Sequence, residues 1–353
     1  MHRPVLLVGS FPYKTAKEVF AVAGPALAGY AARLPDGEAQ GWNTFPAATL
    51  AKAKGLEPSG RTWRAQPHLP PYELYRMASG ITPEDIVFVP VGYDRIARAS
   101  YETFCTARDE GLIAPGTRFQ VSLPTPFATV GTRIIPEQVQ AVLPAFERHF
   151  LREVDAIVEA IPHGDLALQW DVAVEIVQAL EGHRPGLKEH APMGFLAQAI
   201  GRAAARVPAD VQMGLHLCYG NPGGKHIVEP ADTGLMTELA NALFAVVRRP
   251  ITWLHMPVPK NRDDGAYFAP LAGLRLARRN GVLPGPGAPE RRPGGHAAAN
   301  GGGQAPRAAV RRGLGVRPAS VSGGDDPRHA RAAQGGRRSG LSGSRRTTGA
   351  KME

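Results

Sequence analysis

Short apolar runs alternate along this chain with longer stretches in which apolar residues recur every three or four positions. That alternation builds a parallel sheet with helices packed against it. The runs predict strands at Val5–Ser10, Ala32–Glu38, Ile86–Gly92, Phe119–Leu123, Leu166–Asp171, Met213–Cys218 and Ile251–Met256. Helices are predicted at Ala16–Tyr30, Ala97–Glu110, Pro136–Ala160, Phe195–Arg206 and Thr233–Arg248. The third is the clearest, with Val139, Val142, Leu143, Phe146, Phe150 and Leu151 at helical spacing. Pro, Gly and Arg dominate Leu56 to Pro71, which predicts a long loop. Seven strands are one fewer than a closed barrel of eight βα units needs. Pro284-Gly-Pro-Gly-Ala-Pro289 stops the pattern, and no apolar period resumes after it. The expected fold is therefore α/β, a (β/α)8 barrel incomplete at its C-terminal strands, over residues 1–282; on periodicity alone an open doubly wound sheet is the alternative.

Composition sharpens that boundary. The chain carries a net charge of +10, yet residues 281–353 hold 13 Lys and Arg against 4 Asp and Glu, so the rest is nearly neutral. The pI near 9.9 thus describes the tail and gives no reason to expect a nucleic-acid-binding face on the folded part. The same 73 residues contain 17 of the 41 glycines and no Phe, Trp, Tyr, Ile or Cys, and residues 283–353 are expected to be a disordered basic tail. The two cysteines, Cys105 and Cys218, lie far apart, and the N-terminus lacks a secretory pattern. No apolar run approaches the roughly 18 residues of a membrane span. A cytoplasmic, membrane-free protein is expected.

Chemistry concentrates where predicted strands end. In Gly214-Leu-His-Leu-Cys-Tyr-Gly220, His216 and Cys218 point the same way along a strand, and an imidazole beside a thiolate is half of a zinc site. His255, on the last predicted strand, is a candidate third ligand. In Asp165-Leu-Ala-Leu-Gln-Trp-Asp-Val172, Gln169 and Asp171 share one face and Trp170 takes the other. An aspartate ending an apolar run needs a partner or a role. Ser10 closes the first strand after Gly9, and Asp36-Gly-Glu38 sets two carboxylates around a glycine, with Glu38 a candidate for an ammonium group. At the C-terminal ends of barrel strands such residues converge on one mouth.

In this order the motifs resemble those of the catalytic barrel of cobalamin-independent methionine synthase. Leu7-Val-Gly-Ser-Phe-Pro12 is similar to that family's Ile-Gly-Ser-Phe-Pro, Asp36-Gly-Glu38 to its His-Gly-Glu, Leu168-Gln-Trp-Asp171 to its Gln-Ile-Asp-Glu and His216-Leu-Cys-Tyr219 to its His-Met-Cys-Tyr. The match spans roughly residues 3–270 and looks like the short single-barrel branch of the superfamily shared with uroporphyrinogen decarboxylase. It implies zinc-dependent methyl or alkyl transfer to a small-molecule thiol such as homocysteine. His216 and Cys218, with His255, would be metal ligands; Ser10, Glu38, Gln169 and Asp171 would be substrate-binding, and Asp171 and Glu38 catalytic. A folate is one methyl donor the resemblance allows, and coenzyme M is among the compatible acceptors.

Three departures stand out. Val172 replaces the family's acid after the aspartate, the family's glutamate ligand has His255 as nearest counterpart, and no cysteine follows Cys218. A reading-frame shift near Leu283 would account for the composition of the tail and the missing ligand; an open reading of the alternative frame with a Cys-Gly motif is its expected mark. Two other readings stay open. One is a metal-independent decarboxylase-like lyase using Arg and Asp at the mouth, and the other an inactive truncated barrel whose basic tail binds polyanions.

Overall fold

The computed structural model describes residues 4–38, 45–220 and 226–275, so the predicted tail lies outside the described residues. The described residues belong to one compact unit. In chain order the strands are β1 (Arg33–Pro35), β2 (Leu56–Trp63), β3 (Tyr72–Met77), β4 (Arg118–Pro124), β5 (Leu166–Val172), β6 (Gln212–Leu217) and β7 (Trp253–His255). The helices are α1 (Ala16–Ala26), α2 (Phe45–Ala51), α3 (Tyr93–Asp109), α4 (Pro126–Arg133), α5 (Val139–Ala160), α6 (Leu187–His190), α7 (Met193–Ala205), α8 (Gly234–Val246) and α9 (Gly265–Phe268), with a π-helical turn at Glu175–Leu180. Among the described residues, no helix is long and apolar enough to cross a membrane.

Five strands form one parallel sheet in the order β1-β4-β5-β6-β7. Side chains alternate between its faces. One face is apolar and meets the helices. Phe119 of β4 packs edge-on against Phe20 of α1 and beside Phe104 of α3, and Trp170 of β5 meets Phe150 of α5. The opposite parity is largely polar: Arg33, Gln120, Ser122, Gln169, Asp171, Gln212 and His216.

The sheet is strongly curled. Neighbouring strands lie about 4.8 Å apart, so in a flat sheet β1 and β7, four steps apart, would be separated by roughly 19 Å. Instead the Arg33 guanidinium lies 4.2 Å from the centre of the Trp253 ring and donates to Gln212 Oε1 at 2.9 Å. Strands at opposite edges therefore bring their side chains together across a concave interior. The architecture is a parallel α/β half-barrel, compatible with an incomplete α/β barrel; the described residues supply five of its strands rather than a closed ring of eight.

Two predicted strands take other forms. Val5–Ser10 makes a single bridge, Val5 to Ala31, and is not a ladder strand. Its inward carbonyls are met by side chains: Gln120 Nε2 donates to Leu7 O and Val8 O at 3.0 Å, and Ser122 Oγ and Gln169 Nε2 donate to Val8 O at 3.0 and 2.6 Å. Ile86–Gly92 makes only an antiparallel bridge between Val87 and Lys54. Its Phe88 packs on Phe146, while the amides of Val91, Gly92 and Tyr93 point at the buried Glu153 carboxylate, which caps α3. The predicted loop at Leu56–Pro71 contains most of an antiparallel hairpin, β2 with β3, whose register shifts between Pro58 and Thr62. A bulge of this kind accommodates the Pro and Gly that hid the strand.

Gly214 sits opposite Trp253 in the ladder, and a Cβ there would overlap the indole. The absence of a side chain on β6 is what lets the ring lie flat across the floor. Gly214→Ala is expected to displace Trp253 and to destabilise the protein by about 1–3 kcal/mol, read from the urea midpoint, as overpacking of a tight interior does. An unchanged midpoint would show that Trp253 does not fix the curvature.

Candidate functional site at the C-terminal end of the sheet

The ladder register stacks inward residues in layers. Ser122, Gln169, Gly214 and Trp253 form one layer; one step nearer the C-terminal ends lie Pro124, Asp171, His216 and His255. Three strands thus deliver Asp171, His216 and His255 side by side. Cys218, two residues beyond His216, follows the last paired residue of β6, and its N–H still donates to Val172 O at 3.0 Å. Its Sγ accepts the Gly220 N–H at 3.2 Å. The two imidazoles meet directly, Nδ1 to Nδ1 at 2.7 Å, so one of them carries the shared hydrogen.

Gln169 organises the layer below. Fully buried, it donates to Val8 O and, at 2.8 Å, to Asp171 Oδ1, and its Oε1 accepts the Trp253 indole N–H at 3.1 Å. With both ends of its amide engaged, it orients Asp171 and does not present a free donor to the mouth. Trp253, within the predicted strand Ile251–Met256 but not singled out there, lies in the layer beneath His255 and forms the floor of the site.

The second acidic corner follows β1. Gly37 and Glu38 take left-handed φ values of 85° and 55°, the latter rare for a residue with a Cβ. Asp36 holds the turn by accepting the Glu38 N–H at 3.0 Å, and Ser100 Oγ donates to its other oxygen at 2.7 Å. The turned-back Glu38 carboxylate accepts Ser10 Oγ at 2.5 Å and lies so close over Gly9 that a Cβ there would overlap it. Ser10 and Glu38 therefore reach each other across 28 residues, and Gly9 is small because of that approach. Ser100 was not legible as a site residue, because its role is to hold Asp36, which in turn holds the turn at Glu38.

Electrostatics gives this mouth its character. Burial raises the Glu38 carboxyl, with Ser10 opposing and Asp36 adding to the rise. Asp171 is raised well above its ordinary value by burial, then by Glu38, with Glu175 adding and Gln169 opposing. Burial pushes the Cys218 thiol up to about 12, with Asp171 and Glu38 contributing and the Gly220 N–H opposing. Burial drives His216 well below its usual value, helped by His255, and brings His255 down to about 4. All of these groups are displaced toward their neutral forms. None of Asp36, Glu38, Asp171 and Glu175 forms an ion pair with a described residue.

The donor chemistry suits zinc: two neutral imidazoles converging on one point and a thiol on the same strand. The number falls short, because among the described residues no group of three or more His, Cys, Asp and Glu side chains stands as a metal would require. Arg33 and its ladder partner Arg118 lie at the opposite end of the sheet, and the ladder residues level with Asp171 (Pro124, His216 and His255) include no arginine. No family profile, curated protein or solved structure matches the chain.

The Glu38 carboxyl gives a pH test. Its folded value lies above its unfolded one, so between the two the native state holds more protons and its contribution to stability falls as pH rises. Glu38→Gln keeps an acceptor for Ser10 and removes this dependence. The stability of the variant relative to the parent is expected to grow from pH 4 to pH 8 in urea titrations. A difference that stays flat would mean that the carboxyl titrates as it does in the unfolded chain.

Proposed function

We propose that this protein transfers an alkyl or methyl group to the thiol of a small amino-acid-like substrate, with zinc at the mouth of an incomplete barrel of the methionine synthase type. The observation that carries the reading is a mouth whose carboxyls have no ion-pair partner among the described residues. Two carboxyls, a thiol and a pair of imidazoles all lean to their neutral forms, and a metal cation together with a substrate ammonium would bring the charge they lack. The motif order from Ser10 to His216-Leu-Cys218 supports the same assignment.

His216 of β6 and His255 of β7 would hold the metal through the nitrogens that now share a hydrogen, and Cys218, two residues beyond His216, would join them. Bound zinc keeps a thiol deprotonated near neutral pH while leaving it nucleophilic. The rest is done by the chain itself. Glu38, fixed by Ser10 and its left-handed turn, and Asp171, fixed by Gln169, present two carboxylates to one ammonium group. Trp253, held by Gln169, would form the floor beneath the substrate. The alkyl donor is a separate small molecule, a folate among the candidates.

Elemental analysis of the purified full chain tests this. About one zinc per chain is expected, lost in Cys218→Ser and in His216→Ala while both variants remain folded by circular dichroism. A folded parent chain that takes up no zinc when dialysed against it would reject the metal reading and give the lyase reading priority.

A further inference from the structure

The ladder holds Cys218 on one side only. Its N–H donates to Val172 O, but β6 ends at Leu217, so the thiol stands on chain that has already left the sheet. Ile227 braces it there. The Ile227 N–H donates to Tyr219 O at 3.1 Å, which brings this residue back to the end of β6, immediately beside the cysteine. Gly220, with a left-handed φ of 70°, lies so close to the Ile227 side chain that a Cβ there would come within 2.7 Å of its terminal carbon. The N–H of the same Gly220 is the donor to Cys218 Sγ. Ile227 thus holds both the residue that follows the thiol and the glycine whose amide meets the sulfur.

The support for Ile227 comes from the other half of the chain. Gln66, in the tip that joins β2 to β3, donates from Nε2 to Ile227 O at 3.1 Å across 161 residues. The neighbouring Ala65 is buried, and its carbonyl accepts His183 Nε2 at 2.6 Å. The His183 ring stands edge-on to Trp63, the last residue of β2, with centres 5.7 Å apart. Two residues before His183, Glu181 accepts the hydroxyl of the buried Tyr219 at 3.1 Å. The hairpin tip, the stretch after β5 and the stretch after β6 therefore close a circuit of contacts around the end of β6. A strand-to-strand tip is ordinarily the loosest part of a hairpin. Here its backbone and its glutamine are engaged by the two stretches that flank the thiol.

We propose that Gln66 is a positioning residue for Cys218, and that the β2–β3 tip is the clasp that sets the place of the thiol at the mouth. The proposal rests on reading Cys218 as part of the ligand site. A sulfur on a freely moving chain end would lose conformational entropy each time it met a partner, whereas a sulfur braced through Ile227 is placed beforehand.

The test is the rate at which the half-buried Cys218 thiol reacts with iodoacetamide at one fixed pH, in the full chain with a chelator present. Cys105→Ser serves as background, so that a single thiol reports. Gln66→Met keeps the shape and loses the donor; it is expected to raise the rate about fivefold, the opening that loss of one net hydrogen bond permits. His183→Phe keeps a ring against Trp63 and loses the bond to Ala65 O, and should raise the rate similarly. Gln66→Lys keeps a donor of similar reach and should stay near the parent rate. Rates that Gln66→Met and His183→Phe leave unchanged overturn the proposal. So does an acceleration that Gln66→Lys shares, or one that climbs with urea as steeply as global unfolding, since either reports lost stability and not a displaced thiol. Absence of zinc in the parent chain would reject the alkyl-transfer reading and leave these rates as they are.

Discussion

The side-chain amide of Gln169 joins parts of the half-barrel that the backbone ladder leaves separate. Its nitrogen reaches Val8 O in the N-terminal segment and Asp171 two residues along its own strand, while its oxygen takes the indole of Trp253 at the far edge of the sheet. A ladder bonds each strand only to its immediate neighbours, so it cannot by itself fix how tightly a partial barrel curls. Contacts across the concave interior can. Gln169 and the Arg33–Trp253 stack are such contacts, and both depend on Gly214 leaving room for the ring. The inward face is polar because it has to close by hydrogen bonds what a full ring would close by strand pairing.

Supporting loops are held in a related way. Arg184 and Arg249 are buried without a carboxylate; Arg184 donates to Gly131 and Ile134, and Arg249 to Val207, Pro208, Val211 and Pro250. Loop carbonyls that leave the surface must find donors, and a guanidinium supplies up to five. Burial lowers both guanidinium groups to about 10, which still leaves them charged at neutral pH. The hairpin tip is tied to the C-terminal end of the sheet by similar means, through Gln66 to Ile227 O and His183 to Ala65 O.

The mouth reverses this economy. Those guanidinium groups are matched to carbonyls, whereas here carboxyls, thiol and imidazoles are assembled with no ion-pair partner among the described residues. Such an arrangement favours the neutral forms and lowers the stability of the unliganded protein, a cost expected where a ligand is meant to complete the set. Glu38 concentrates the effect, combining an unfavourable backbone conformation with a carboxylate pressed against Gly9.

Much of this was legible in the chain before its structure. Parity along Leu166–Val172 separates Gln169 and Asp171 from Trp170, and parity along Met213–Cys218 sets His216 and Cys218 on one face, because strand geometry is local. Helix positions were legible for the same reason, from apolar spacing. Val5–Ser10 and Ile86–Gly92 were overread as strands, since pairing depends on a neighbour that composition does not reveal; the β2–β3 hairpin was missed because a bulge absorbs its Pro and Gly. The register that brings Asp171, His216 and His255 abreast, the reach of Ser10 to Glu38 and the clasp of Gln66 on Ile227 belong to the tertiary structure alone. The sequence determined which side chains face the same way along each segment. Only the curl and register of the sheet decided which of them meet, because those contacts join residues tens to hundreds of positions apart.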